Sequence, residues 1–238
     1  MANYISTYTK NYYEKNYKRY GPSFQRKYPN EELCRFVGRT FFKYKLGNRK
    51  KLKFLETGCG SAGNLCMLAE EGFNCFGIDI SPESIKICEK IFKQKKLHVN
   101  LTVGNMLNLP YKNNFFDCIV DVFSSMHLNA KEGNIYLNQV KKKLKKNGIF
   151  FSYFPSKKST MFKSKKKEMI DRDTLFNLNE KKSAFRIKNF PFRFLKKDDY
   201  INQLSKNNLN LLYAEEVTKT YFYGKEEFTF IIIVGQKK

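Results

Sequence analysis

Leu55-Glu56-Thr57-Gly58-Cys59-Gly60-Ser61-Ala62-Gly63 is the stretch on which the fold turns. An apolar run beginning at Leu52 leads into it and a helical pattern follows, so the glycines stand where a strand ends and a helix begins. Glycine there permits a tight turn and a close approach of backbone to ligand. Gly58, Gly60 and Gly63 satisfy G-x-G-x-x-G, a weak signal alone, but about twenty residues on Gly77-Ile78-Asp79-Ile80 puts a carboxylate at the end of the next strand. A carboxylate in that place can bind a ribose diol, so the pair predicts a site for a nucleoside-containing molecule. Glu56, two residues before Gly58, would face a pyrophosphate unfavourably and suits a cationic ligand instead.

Outward from the loop, short apolar runs alternate with helical segments. The pattern predicts strand 52–56, helix 63–71, strand 74–79, helix 82–95, strand 98–103, strand 116–122, helix 130–145 and strand 149–154. Such alternation means a parallel sheet with helices on both faces. Before it, residues 1–50 are aromatic and basic: Tyr12, Tyr13, Tyr17 and Tyr20 lead to Gly21-Pro22, and Leu33, Phe36, Val37 and Phe41 have helical spacing. They predict an N-terminal helical cap on a main domain of residues 51–238. Residues 155–190 break the rhythm, with Lys157, Lys158, Lys163 and Lys165 to Lys167 clustered, and read as a basic insertion or mobile loop. A helix at 198–207 and strands 209–220 and 226–235, joined at Tyr223-Gly224-Lys225, close the sheet with an antiparallel hairpin.

S-adenosylmethionine carries a sulfonium and an ammonium but no phosphate, which suits the acidic approach to the glycine loop. Residues 52–154 resemble class I S-adenosylmethionine-dependent methyltransferases of the small-molecule type. Gly104-Asn105-Met106-Leu107-Asn108-Leu109-Pro110, Phe116-Asp117-Cys118-Ile119-Val120-Asp121 and Leu144-Lys145-Lys146-Asn147-Gly148-Ile149-Phe150 follow in that family's order. An acidic residue usually stands at the position of Asn105, where it accepts from the adenine amino group; an Asn oxygen can still accept. The resemblance implies an α/β, Rossmann-like seven-stranded sheet of order 3-2-1-4-5-7-6 with strand 7 antiparallel. It also implies that Tyr28, Glu56, Gly58, Cys59, Gly60, Asn64, Asp79, Ile80, Asn105, Met106 and Asp121 hold the cofactor, with S-adenosylhomocysteine as product.

The implied reaction is transfer of a methyl group to an oxygen or nitrogen nucleophile of a small molecule such as a sugar or other metabolite. His127, in Phe123-Ser124-Ser125-Met126-His127 after the fourth strand, is the candidate base; capping or packing is the alternative role. His98, at the start of a strand, reads as structural. Tyr20 and Arg26, with Tyr28 and Glu31, are candidates for a lid contacting substrate or sulfonium, unless the tyrosines only pack the cap.

The chain has 238 residues, 42% hydrophobic and 28% charged, an ordinary globular composition. Its +23 formal charge would ordinarily point to a polyanionic partner. The abundance of Lys, Asn, Ile, Phe and Tyr with no Trp is also what A- and T-rich codons produce, and discounts that inference. Amino-group base methyltransferases carry Asn or Asp followed by Pro-Pro and an aromatic residue after the fourth strand; this chain reads Asp121-Val122-Phe123-Ser124. An RNA methyltransferase and a non-catalytic S-adenosylmethionine-binding protein remain alternatives. Cys34, Cys59, Cys66, Cys75, Cys88 and Cys118 show no C-x-x-C pair and read as reduced; no metal site is expected. The longest apolar run, Phe228 to Val234, falls far short of the roughly 20 residues of a membrane span, and a cytoplasmic protein is expected. Oligomeric state is left open.

Overall fold

The computed structural model describes residues 2–165, 167–178, 183, 185 and 187–238, with side chains from residue 7 onward. Helix α1 (Ala2–Tyr20) runs through a 3-10 turn at Gly21–Phe24, where Gly21 adopts φ 57°, towards α2 (Glu31–Phe41). The Asn30 side chain caps α2 by accepting from the N–H groups of Glu32 and Leu33, and Leu33, Phe36, Val37 and Phe41 bury its apolar stripe. A short α3 (Leu46–Arg49) then leads into the sheet.

The alternating region holds β1 (Lys53–Thr57), α4 (Gly63–Glu70), β2 (Asn74–Asp79), α5 (Pro82–Lys95), β3 (Val99–Val103), β4 (Phe116–Val122), α6 (Ala130–Lys143) and β5 (Leu144–Pro155). Beyond it come α7 (Thr160–Lys163), β6 (Lys167–Asp171), β7 (Thr174–Leu178), β8 (Lys188–Arg193), α8 (Lys197–Lys206), β9 (Leu209–Tyr221) and β10 (Glu226–Lys237). Seven strands form one sheet in the order β3-β2-β1-β4-β5-β10-β9. The strands β3, β2, β1, β4 and β5 are parallel, and β10 runs antiparallel to both β5 and β9. Counted within the sheet, this is the order 3-2-1-4-5-7-6 with an antiparallel seventh strand. Phe230 to Val234 are buried without alternation because β10 lies inside the sheet, covered on both faces. β9, at the edge, exposes Leu211, Leu212 and Tyr213.

β5 starts five residues earlier than its apolar run does: Leu144 already pairs with Phe116, and Lys145 Nζ bonds Asp117 Oδ2 at 2.7 Å across the two strands. Residues 155–190 carry more regular structure than a loop. β6, β7 and β8 form a separate antiparallel sheet, and the period-two run Phe190, Phe192, Phe194 is buried. Of the expected basic insertion, Lys166 and residues 179–182, 184 and 186 lie outside the described residues. Lys157 pairs with buried Asp173, Lys158 pairs with Glu216, and Lys167 Nζ donates to the Phe162 carbonyl. Tyr12 packs on Phe190 with ring centroids 4.5 Å apart, so the small sheet and α1 together roof the carboxyl ends of the parallel strands. All six cysteines are free, and among the described residues no helix is long and apolar enough to cross a membrane.

α6 begins directly behind His127-Leu128 with a capping box. Asn129 Oδ1 accepts from Glu132 N–H at 2.9 Å while Glu132 Oε2 accepts from Asn129 N–H at 3.1 Å. Asn129→Ala should lower stability by about 1 kcal/mol in urea unfolding, with the native circular-dichroism spectrum unchanged.

Candidate functional site

The N–H groups of Gly58 and Cys59 both donate to the Ile78 carbonyl, at 2.7 and 3.2 Å, so the chain leaving β1 is tied across the end of β2. Gly58 adopts φ +68°, and a Cβ there would meet Ser124 Oγ at 1.7 Å and Ser124 Cβ at 2.7 Å. Asp79 completes the loop: its Oδ2 accepts from Gly60 N–H at 3.0 Å and its Oδ1 from Ser81 N–H at 2.9 Å.

Above these strand ends lies a cavity of about 180 Å³. Its floor is the glycine loop and the ends of β2 and β3, its far wall the turn after β4, and its roof α1 and the segment around Arg26. Of the residues expected at the site, Arg26, Tyr28, Glu56, Gly58, Cys59, Gly60, Asn64, Asp79, Ile80, Asn105, Met106 and His127 line it. Tyr28 is 73% exposed and so stands at the rim.

Three expected residues, Asp121, Tyr20 and Glu31, stand apart from the cavity lining. Asp121 is fully buried behind the wall, where its Oδ1 accepts from Ser125 N–H at 2.9 Å and its Oδ2 from the hydroxyls of Ser125 and Ser152. A carboxylate engaged in this way positions the turn that carries Ser124 to His127. Tyr20 is half exposed and stacks on Phe24. Glu31, on the surface, pairs with Lys219 at 2.6 Å. Asn105 Oδ1 accepts from Leu107 N–H at 2.9 Å, which orients the amide and leaves its Nδ2 donor and the second oxygen lone pair for a further partner.

Thr9, Tyr13 and Tyr17, on one stripe of α1, line the cavity without having been singled out. The tyrosine spacing was visible, but its partner lies 114 residues away: Tyr13 Oη sits 2.6 Å from His127 Nε2. His127 Nδ1 lies 2.8 Å from the Pro191 carbonyl. Among the described residues, three buried polar atoms on the cavity wall have no hydrogen-bond partner: Glu56 Oε2, Ser61 Oγ and Thr9 Oγ1.

The floor is acidic. Burial pushes the Glu56 carboxyl up to about 8, against the help of Asn64, whose Nδ2 donates to Glu56 Oε1 at 2.6 Å; the charges of Asp79 and Asp121 push it the same way. Burial also raises Asp79, opposed by the loop N–H groups it accepts from. On the far wall, burial lowers His127 to about 4, so its imidazole is neutral at physiological pH. Burial, then the charges of neighbouring Tyr12 and Asp79, keeps Tyr13 a phenol. Among the described residues no group of three His, Cys, Asp or Glu could hold a metal ion.

Residues 54–148 match the family described as "Methyltransferase domain". Norajmaline N-methyltransferase of Rauvolfia serpentina is 36% identical over 88 residues, which are 36% of this chain and 30% of that enzyme. An uncharacterized methyltransferase of Alkaliphilus oremlandii is 26% identical over 176 residues, 74% of each chain. The match thus spans under a third of the plant relative's length. The crystal structure of the PH0226 protein from Pyrococcus horikoshii OT3 superposes with a TM-score of 0.66 over 93% of this chain and 98% of that one, at 24% identity.

A carboxyl held near 8 in the folded protein and near 4.5 when unfolded binds more protons folded than unfolded across that interval, so stability falls as pH rises through it. Glu56→Gln should flatten that decline in ligand-free protein. Thermal melts across the interval read the difference, with the variant gaining on the wild type towards the alkaline end.

Proposed function

Because this chain carries a methyltransferase domain of the class I S-adenosylmethionine-dependent kind, we propose that it transfers a methyl group from S-adenosylmethionine to a small molecule. The observation that carries the reading is Glu56: a buried carboxylate oxygen without a hydrogen bond among the described residues, in a cavity floored by a glycine loop and lined also by the unpaired Ser61 hydroxyl. A cation with N–H donors satisfies both, and the ammonium group of the methionyl moiety is such a cation. The residues present therefore fit the group.

Gly58, Cys59, Gly60 and Asn64 would hold the methionyl end with Glu56, Asp79 and Ile80 the ribose, and Asn105 and Met106 the adenine. Asp121 would act from behind, through the turn it holds. Bound there, S-adenosylmethionine supplies a methyl group on a sulfonium, which forms a bond to the attacking atom as the carbon–sulfur bond breaks and S-adenosylhomocysteine leaves. The protein's own share is alignment and exclusion of water, effects that reach about 7–11 kcal/mol when geometry is good. α1 and the small sheet supply the exclusion, since they roof the cavity with Tyr13, Tyr17 and the rings behind them. His127 stands on the acceptor side, reaching the cavity in company with Tyr13.

A small acceptor is supported by the cavity of about 180 Å³ and by the plant relative's name. It is supported too by lysines of the 155–190 region that pair within the chain, Lys157 and Lys158 among them, and so are not arrayed for a phosphate backbone.

Calorimetry should give binding of S-adenosylhomocysteine at ~1:1, weakened by roughly 1–3 kcal/mol in Asp79→Ala. Below the Glu56 titration near 8, binding should release protons as the ammonium draws Glu56 into its charged form, visible as a dependence of the heat on buffer ionisation enthalpy. An absence of binding would sink the reading. With radiolabelled S-adenosylmethionine, label should enter a low-molecular-weight fraction and resist nuclease; nuclease-sensitive label would favour RNA, and binding with no label a non-catalytic protein.

A further inference from the structure

The contacts of His127 fix the direction of a short chain of hydrogen bonds that ends in the cavity. The Pro191 carbonyl can only accept, so the hydrogen on the neutral imidazole sits on Nδ1, 2.8 Å away. Nε2 is then a bare lone pair, and the Tyr13 hydroxyl at 2.6 Å must donate to it. With its one hydrogen committed, Tyr13 Oη can offer the cavity only lone pairs. One helical turn earlier on the same stripe, Thr9 Oγ1 is buried on the cavity wall with no partner. The rings of Tyr12, Tyr17 and Phe24 pack around Tyr13, and Phe123 and Leu128 line the same cavity. The charged residues on the cavity wall among the described residues are Arg26, Glu56 and Asp79, and of the two carboxylates Asp79 is near enough to act on Tyr13.

Resting on the methyl-transfer reading above, we propose that the acceptor is a neutral small-molecule amine whose N–H donates to Tyr13 Oη, with Thr9 Oγ1 meeting a second polar group about 5–6 Å along α1. Tyr13 binds the acceptor, and His127 is a positioning residue that acts through it rather than the base that takes its proton. An anion fares badly here, because Asp79 is close enough to push on the Tyr13 phenol. A hydroxyl acceptor must lose its proton to be methylated, and the path through Tyr13 leads to an imidazole whose basicity burial lowers to about 4, a weak sink for it. An amine needs no such sink. Its N–H stays on Tyr13 while its lone pair points into the cavity, and the proton leaves only after the methylated ammonium has formed, to water on release.

The chain has two histidines, so nitrogen NMR of labelled protein shows two imidazoles, and His98→Gln identifies the second. Near neutral pH His127 should carry its hydrogen on Nδ1, and Tyr13→Phe should shift the Nε2 resonance. Protein loaded with S-adenosylhomocysteine should bind tetrahydroquinoline about tenfold more tightly than its N-methyl derivative, one hydrogen bond's worth, and Tyr13→Phe should erase that preference. An Nε2–H tautomer, equal affinities, a preference that survives Tyr13→Phe, or no binding of either amine would each overturn the proposal. Failure of the wild type to bind S-adenosylhomocysteine strikes the methyl-transfer reading instead, and the tautomer is still read in the free protein.

Discussion

One carbonyl organises the site. Ile78 C=O accepts from the successive N–H groups of Gly58 and Cys59, and this pair of bonds turns the chain sharply at the end of β1 so that α4 starts over the sheet rather than beyond it. The turn needs positive φ at Gly58 and Gly60, and it brings Gly58 so close to Ser124 that no side chain fits between them. Through that contact the β1 turn and the β4 turn are set at a fixed separation. Asp79, next after Ile78, then spends one carboxylate oxygen on Gly60 of the same loop and the other on Ser81 N–H in the turn after β2. Strand ends, cavity floor and far wall are thus positioned together by backbone chemistry.

The second constraint is electrostatic. Glu56, Asp79 and Asp121 are all buried at one end of the sheet, and the three differ in how their charge is met. Asp79 and Asp121 are surrounded by N–H and O–H donors and serve the two turns. Glu56 is helped only by the Asn64 amide and the Leu65 N–H, its Oε2 makes no hydrogen bond among the described residues, and burial therefore holds its proton into the range where a bound cation would displace it. A carboxyl that is uncomfortable alone and satisfied by a cationic ligand is a means of coupling binding to ionisation.

The roof comes from the two parts of the chain outside the alternating pattern. α1 contributes hydroxyls and rings, and the β6-β7-β8 sheet contributes Phe190, Phe192 and the Pro191 carbonyl behind His127. Glu14 ties the roof down at the other side, accepting from the Ser81 hydroxyl at 2.5 Å and from Glu83 N–H at the start of α5. The Tyr13 and His127 end of the cavity is therefore defined by contacts between segments far apart in the chain, whereas the glycine-loop end is nearly local.

That difference explains what could be read in advance. Strand–turn–helix order, the Glu56-to-Gly63 loop and Asp79 follow from periodicities and glycine spacings that act over a few residues, and the antiparallel closing hairpin follows from two apolar runs around Tyr223-Gly224-Lys225. The 155–190 region was harder because its clustered lysines leave little apolar periodicity and the alternating run Phe190, Phe192, Phe194 begins only at its end. Asp121 lies on a strand whose burial was evident, yet its orientation away from the cavity depends on Ser125 and Ser152 arriving on its other side. The amino-acid sequence by itself determined the sheet, its crossovers and the glycine turn, because hydrogen bonds and hydrophobic periodicity within each unit specify them. Tertiary structure alone decided that Tyr13 meets His127, that Pro191 orients both, and that Thr9 Oγ1 and Glu56 Oε2 make no hydrogen bond among the described residues, because burial and pairing between distant segments exist only once the roof has closed on the sheet.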